Sequence, residues 1–264
     1  MEVIEVEGSY TKRNKIHRLP INVAQRYSVI VTANQPVDNY IMRSEFQKKC
    51  MPDDAKKLSI VKAIVHYDGA PEDSAPKDVP WKDFLEECID LKHETLQPLY
   101  EEKLPKATKE MELTIAFHND SSGVVRAFFN ESSYVPDIKF PTLSRIFAGK
   151  ANNLPRDRNA YIFDTPGEHG HQFWVLGFGN GTHVDKKSLN TVNPIKRDTS
   201  TIPANGWTVF RFVPDNPGVF GIHCHMLLHL QSGLLMQLIE FPEKIKMMDP
   251  LQEWVDLCKL NTKY

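Results

Sequence analysis

Four side chains able to bind a transition metal fall within seven residues of this sequence: His223, Cys224, His225 and His229, inside Gly221-Ile222-His223-Cys224-His225-Met226-Leu227-Leu228-His229. The chain holds only ten histidines and four cysteines, so such density is hard to reach by chance. The segment follows the turn signal Asp215-Asn216-Pro217-Gly218 and the apolar pair Val219-Phe220, so His223–His225 reads as extended chain. Neighbouring side chains of a strand point to opposite faces. Cys224 then faces one way, His223 and His225 the other, and His229 follows closely enough to return to the cysteine's side. A thiolate with imidazoles is the ligand set of a blue-copper centre, and paired imidazoles without sulfur suit copper that handles oxygen. A zinc site, or a buried cysteine among incidental histidines, are the other readings. The split over two faces favours copper, because structural zinc gathers its ligands on one side.

The surrounding chain must position these groups, and its pattern is that of β-structure. Met1–Glu7 alternates charge with β-branched residues. Strand formers recur at Tyr27–Thr32, Tyr40–Met42 and Ile60–Val65, closed by Asn34-Gln35-Pro36 and Asp68-Gly69. Residues 71–106 read as a linker rich in proline and charge; Pro80 opens a helical pattern with Trp81, Phe84, Leu85, Cys88 and Ile89 on one face. Further strands are expected at Leu113–Phe117, Val125–Phe129, Gln172–Leu176, Thr208–Phe212 and Leu235–Ile239, with turns at Asn130-Glu131-Ser132 and Asn205-Gly206. Asp249-Pro250 starts a terminal helix with Leu251, Trp254, Val255 and Cys258 on one face. The expected fold is therefore all-β. It divides into half a domain over 1–70, the linker over 71–106, a more complete sandwich over 107–242 and a helical tail over 243–264.

Composition removes other classes of function. The chain has 264 residues, 41% of them hydrophobic and 25% charged, with a net charge of −2. That balance speaks against nucleic acid or an anionic membrane as a partner engaged through bulk charge. No run approaches the ~18 apolar residues of a membrane span, and the first residues do not resemble a signal peptide. The cysteines are scattered, with no C-x-x-C pair, which speaks against a zinc ribbon. Asn119, Asn130 and Asn180 each open an N-glycosylation sequon, expected on surface loops if the chain is secreted.

With His223-Cys224-His225-x-x-x-His229, Arg197-Asp198, Gly206-Trp207, Arg211-Phe212 and Asp215–Val219 in view, the chain resembles the third cupredoxin domain of a multicopper oxidase of the fungal laccase and ferroxidase kind. Gln25–Ser28 and Asn34–Tyr40 resemble the second half of that family's second domain, and Trp254-x-x-Leu257-Cys258 its tail. The resemblance implies cupredoxin-like Greek-key sandwiches, with copper as cofactor. It carries type 1 copper ligation, where an electron from the reductant enters, to Cys224 and His229. It carries type 3 ligation, in the cluster that reduces dioxygen to water, to His223 and His225. The weak axial position falls on Leu234, which cannot coordinate, so a higher potential is expected. The implied reductants are phenols, aromatic amines or ferrous iron, and the implied location is extracellular or secretory.

A second family motif, His-Pro-x-His-Leu-His-Gly-His, meets Asp164-Thr165-Pro166-Gly167-Glu168-His169-Gly170-His171 here. Registered on His-Gly-His, it carries a type 3 role to His169. Asp164 and Gly167 fall on the type 1 and type 2 ligand positions, and His171 is a candidate substitute ligand. The adjoining strand looks shortened between Asn159 and Asp164. No counterpart of the family's first domain is seen, so the chain is expected to be an incomplete copy. Cys258 matches a cysteine that in laccases pairs with that domain, and Cys50 and Cys88 could pair with each other. Uncovered strand edges favour self-association. The expected function is copper-dependent oxidation, with a non-enzymatic single-copper cupredoxin or a degenerate, inactive paralogue as the alternative.

Overall fold

Valine and isoleucine alternating with glutamate form the first strand, β1 (Glu2–Val6), of which Val3 and Val6 are fully buried. Glu7 and Gly8 both take positive φ, at 49° and 87°, the geometry of a two-residue hairpin turn. They return the chain into β2 (Ser9–Lys15). β3 (Tyr27–Ile30) pairs with the other edge of β1, giving the order β2-β1-β3. β4 (Asn39–Glu45) and β5 (Ile60–His66) form an antiparallel pair from Asn39 opposite His66 to Glu45 opposite Ile60. The computed structural model of the chain describes residues 1–47, 60–76, 78–79, 90–164 and 172–260. The helix read at Pro80–Ile89 and the cysteines Cys50 and Cys88 lie outside the described residues.

β6 (Ile115–Asn119) and β7 (Val125–Phe129) make a hairpin. It begins two residues later than the strand read at Leu113, because Asn130 Oδ1 takes the backbone N–H of Thr114 at 3.0 Å and closes the ladder there. Then come the short helix α1 (Thr142–Phe147) and the strands β8 (Ala160–Phe163), β9 (Phe173–Asn180), β10 (Lys196–Arg197), β11 (Gly206–Arg211) and β12 (Gly218–His223). The helix α2 (Leu227–Gln231), strand β13 (Leu235–Glu240) and helices α3 (Pro242–Lys246) and α4 (Gln252–Leu260) complete the chain. Leu251 precedes α4 and is exposed, whereas Trp254 and Val255 are half-buried. Strands dominate, as the alternation in the sequence predicts, and no helix among the described residues is long and apolar enough to cross a membrane.

The chain divides into two compact units, one of Met1–Leu104 with Trp174–Phe210, the other of Pro105–Phe173 with Arg211–Tyr264. These cut across the linear division above, since Trp174–Phe210 groups with the N-terminal residues. In the first unit Val3, Val6, Leu96 and Ile195 form a buried cluster. In the second, β13 is central in the order β12-β13-β8, antiparallel to β12 and parallel to β8. Its two faces bury two clusters, one with Ala127, Phe129, Leu234, Met236 and Leu238, the other with Ile146, Ala151, Ile239 and Ile245. A strand so enclosed needs partners for its polar groups. Glu240 is fully buried, and its Oε2 accepts the backbone N–H groups of Asp215 and Asn216 at 3.0 and 3.2 Å. That carboxylate anchors the turn leading into β12.

Asp137 holds the approach to α1. The Arg145 guanidinium, 2.9 Å from its Oδ2, and the Phe140 backbone N–H, 2.9 Å from its Oδ1, lower its pKa to about 2. The folded-state value lies below the ordinary value of about 3.9, so the interaction stabilises fully above that pH and is lost as pH falls toward 2. An acid titration followed by circular dichroism should show a smaller loss of stability in Asp137→Asn than in the wild type between about pH 4 and pH 2.

Candidate metal centre

The register of β12 on β13 sets Gly218 opposite Glu240, Phe220 opposite Leu238, Ile222 opposite Met236 and His223 opposite Leu235. The ladder continues one step further, with Cys224 N–H donating to the Leu234 carbonyl at 3.1 Å. Phe220, Ile222 and Cys224 therefore pack on the cluster containing Leu234, Met236 and Leu238. Val219 packs on the opposite cluster, and Gly221 and His223 are exposed. His225 is exposed as well, and its ring centroid lies 5.8 Å from that of His223. The pleat thus separates one thiol from two imidazoles. His223 Nδ1 lies 3.1 Å from the Cys224 carbonyl oxygen. That oxygen can only accept, so Nδ1 carries the proton and Nε2 presents the lone pair.

The chain leaves the strand at Cys224, bends through His225 and Met226, and turns once as α2. This turn brings His229 Nδ1 to 3.4 Å from Cys224 Sγ. The return is fixed from behind: Leu234 N–H donates to the His229 carbonyl at 3.0 Å, and Gly233 N–H to that of Leu230 at 3.0 Å. On the other side, the Phe117 ring of β6 lies 4.7 Å from the His229 ring, tilted by 54°. Leu234 is buried beside Cys224 and offers a hydrocarbon side chain.

Donors at about 2.3 Å (sulfur) and about 2.0 Å (nitrogen) from one ion can span the Cys224–His229 separation. The pair therefore fits half of a four-coordinate, or most of a three-coordinate, soft-metal site. Among the described residues no group of three or more His, Cys, Asp or Glu side chains converges on one ion. Asp164, at the end of β8, is exposed. His169, His171 and Gly167 lie outside the described residues. Asn119, Asn130 and Asn180 are all exposed; Asn130 additionally sits at φ 55° with its carboxamide engaged by Thr114. Sequence reading missed Phe117, whose contact with His229 spans two distant segments and leaves no local signal.

Sequence models of the family described as multicopper oxidase match residues 1–70 and 168–244, together more than half of the chain. The chain is 30% identical to the iron transport multicopper oxidase fio1 of Schizosaccharomyces pombe, over 93% of this chain and 43% of that protein. It is 33% identical to laccase-2 of Agaricus bisporus, over 92% of this chain and 49% of that one. Among solved structures, laccase from Botrytis aclada superposes with a TM-score of 0.85 at 23% identity, covering 98% of this chain and 50% of that one. Fet3p, described as a multicopper oxidase that functions in iron import, gives 0.84 at 24% identity, covering 99% and 56%. The structural likenesses show a shared cupredoxin-like β fold. The chain spans about half the length of the relatives it matches.

Proposed function

We propose, since this chain belongs to the multicopper oxidase family, that it carries the electron-entry portion of a copper-dependent oxidoreductase. The observation that carries the reading is the pairing of Cys224 Sγ with His229 Nδ1 at 3.4 Å on one side of the chain, with His223 and His225 exposed on the other. Cys224 and His229 are assigned to type 1 copper. His223, His225 and His169 are assigned to the oxygen-reducing cluster, and His171 is the candidate for the imidazole that Asp164 does not supply. Bound copper would supply one-electron redox chemistry, taking electrons from a phenol, an aromatic amine or ferrous iron and passing them to dioxygen, which leaves as water.

The residues themselves hold and orient. Cys224 provides the soft donor, kept at the strand end by its hydrogen bond to Leu234. His229 provides an imidazole nitrogen that the single turn of α2 carries back to within 3.4 Å of the sulfur. Leu234 closes the cluster with hydrocarbon and offers no third donor. His223 presents Nε2 because its Nδ1 proton is committed to the Cys224 carbonyl. The peptide between them links the two faces covalently. Exposed asparagines at all three sequons support an extracellular or secretory setting.

Copper reconstitution tests this. The purified chain loaded with copper should develop an intense visible thiolate-to-copper band, and Cys224→Ser should lose it entirely with circular dichroism unchanged. A colourless copper complex, or a band that survives Cys224→Ser, would sink the assignment.

A further inference from the structure

We infer that Phe117 is a positioning residue for His229, fixing the imidazole plane that meets Cys224; this deepens the copper reading above and rests on it. His229 stands on a helix of five residues. Helices that short are marginal on their own, so α2 cannot by itself fix the direction of a side chain. Cys224 Sγ at 3.4 Å and the Phe117 ring at 4.7 Å between centroids both meet the imidazole. That centroid separation and tilt lie in the range of favourable aromatic pairs.

The placement of Phe117 follows from register. It stands opposite Ala127 in the β6–β7 hairpin. Ala127 is fully buried, and its backbone N–H donates to the Ser232 carbonyl at 2.9 Å, just past the end of α2. Ser232 is itself bound to the helix, its N–H and Oγ both donating to the Leu228 carbonyl, at 3.0 and 2.7 Å. Hairpin and helix are thus tied at the register position that carries Phe117. Phe117 nevertheless remains 46% exposed, so packing in the core does not explain its position. The ring pair it makes among the described residues is with His229.

The test uses the chain with Phe117→Leu, which keeps apolar bulk without a ring, and Phe117→Tyr, which keeps the ring. In metal-free protein the ring protons of His229, assigned by their loss in His229→Gln, should lose their ring-current shift in Phe117→Leu and retain it in Phe117→Tyr. Copper affinity, measured by competition with a chelator, should fall about three- to tenfold in Phe117→Leu. The visible band should broaden or move, with wild-type values restored in Phe117→Tyr. Unchanged affinity and an unchanged band in Phe117→Leu would overturn the inference while leaving the copper assignment intact. A wild-type chain that takes up no copper would overturn both, and the wild-type sample alone separates the two cases.

Discussion

Glu7→Gln is expected to destabilise the unit that contains it by about 3–5 kcal/mol, the cost of leaving a buried charge without its partner. Glu7 and Arg197 are both fully inaccessible at their side chains. The Arg197 Nη2 group donates to Glu7 Oε1 at 2.5 Å and its Nε to Oε2 at 3.2 Å. Burial works against the guanidinium charge, but the Glu7 hydrogen bonds and surrounding negative charge outweigh it, so the Arg197 pKa lies above its ordinary value. Glutamine keeps the shape and removes the counter-charge. The two halves of the pair are not equivalent. Glu7 Oε2 also accepts the backbone N–H groups of Asp198 and Thr199, each at 3.0 Å. A carboxylate that loses Arg197 keeps those two donors, whereas an arginine that loses Glu7 loses both of the carboxylate hydrogen bonds at its Nε and Nη2. Arg197→Met should therefore cost less than Glu7→Gln. Urea unfolding measures both; equal costs would remove the asymmetry, and a Glu7→Gln loss under about 1 kcal/mol would mean the pair behaves as a solvated surface bridge.

That ion pair also marks what the sequence could and could not convey. Its members are 190 residues apart, and nothing in the spacing of either announces the other. The signals that were legible are local. Val125–Phe129 reads as a strand from its composition and forms β7 with the same bounds. Leu235–Ile239 extends by one residue, because Glu240 finds its partners in the Asp215–Asn216 turn. The mostly β fold was readable because alternation and turn residues each act over a few positions. β2 escaped notice because Ser9–Lys15 is polar or charged at every position but Tyr10 and so shows no apolar alternation. The short strand read between Asn159 and Asp164 is β8, four residues long, whereas α2, at five residues, is too short for a helical period to register. The nearness of Cys224 and His229 was legible, since only five residues separate them. The ring that contacts His229 was not, since Phe117 reaches it through a hairpin register that only the folded chain defines.

The second large effect is expected at the turn that sets this geometry. Gly233 has φ 104°, and a Cβ built there would lie 2.1 Å from Ser133 Oγ and 3.1 Å from the backbone N and O of Tyr134. Its carbonyl accepts the Tyr134 N–H at 3.0 Å, so the two segments cannot separate without losing that bond. Gly233→Ala therefore combines a disfavoured backbone conformation with overpacking, and should cost about 2–4 kcal/mol in urea unfolding. Ser133→Ala in the same chain removes the nearest clashing atom but neither the Tyr134 backbone contacts nor the φ strain, so it should return only part of the loss. The site should respond beyond stability. Gly233 lies between Ser232, which ties α2 to β7, and Leu234, whose carbonyl holds Cys224 and whose N–H holds the His229 carbonyl. Any displacement of residue 233 pulls on the hydrogen bonds of both neighbours at once. The His229 ring signals of metal-free Gly233→Ala should then differ from wild type even where circular dichroism shows the strands intact. Wild-type signals together with wild-type stability would show that the turn yields without transmitting strain to the Cys224–His229 pair.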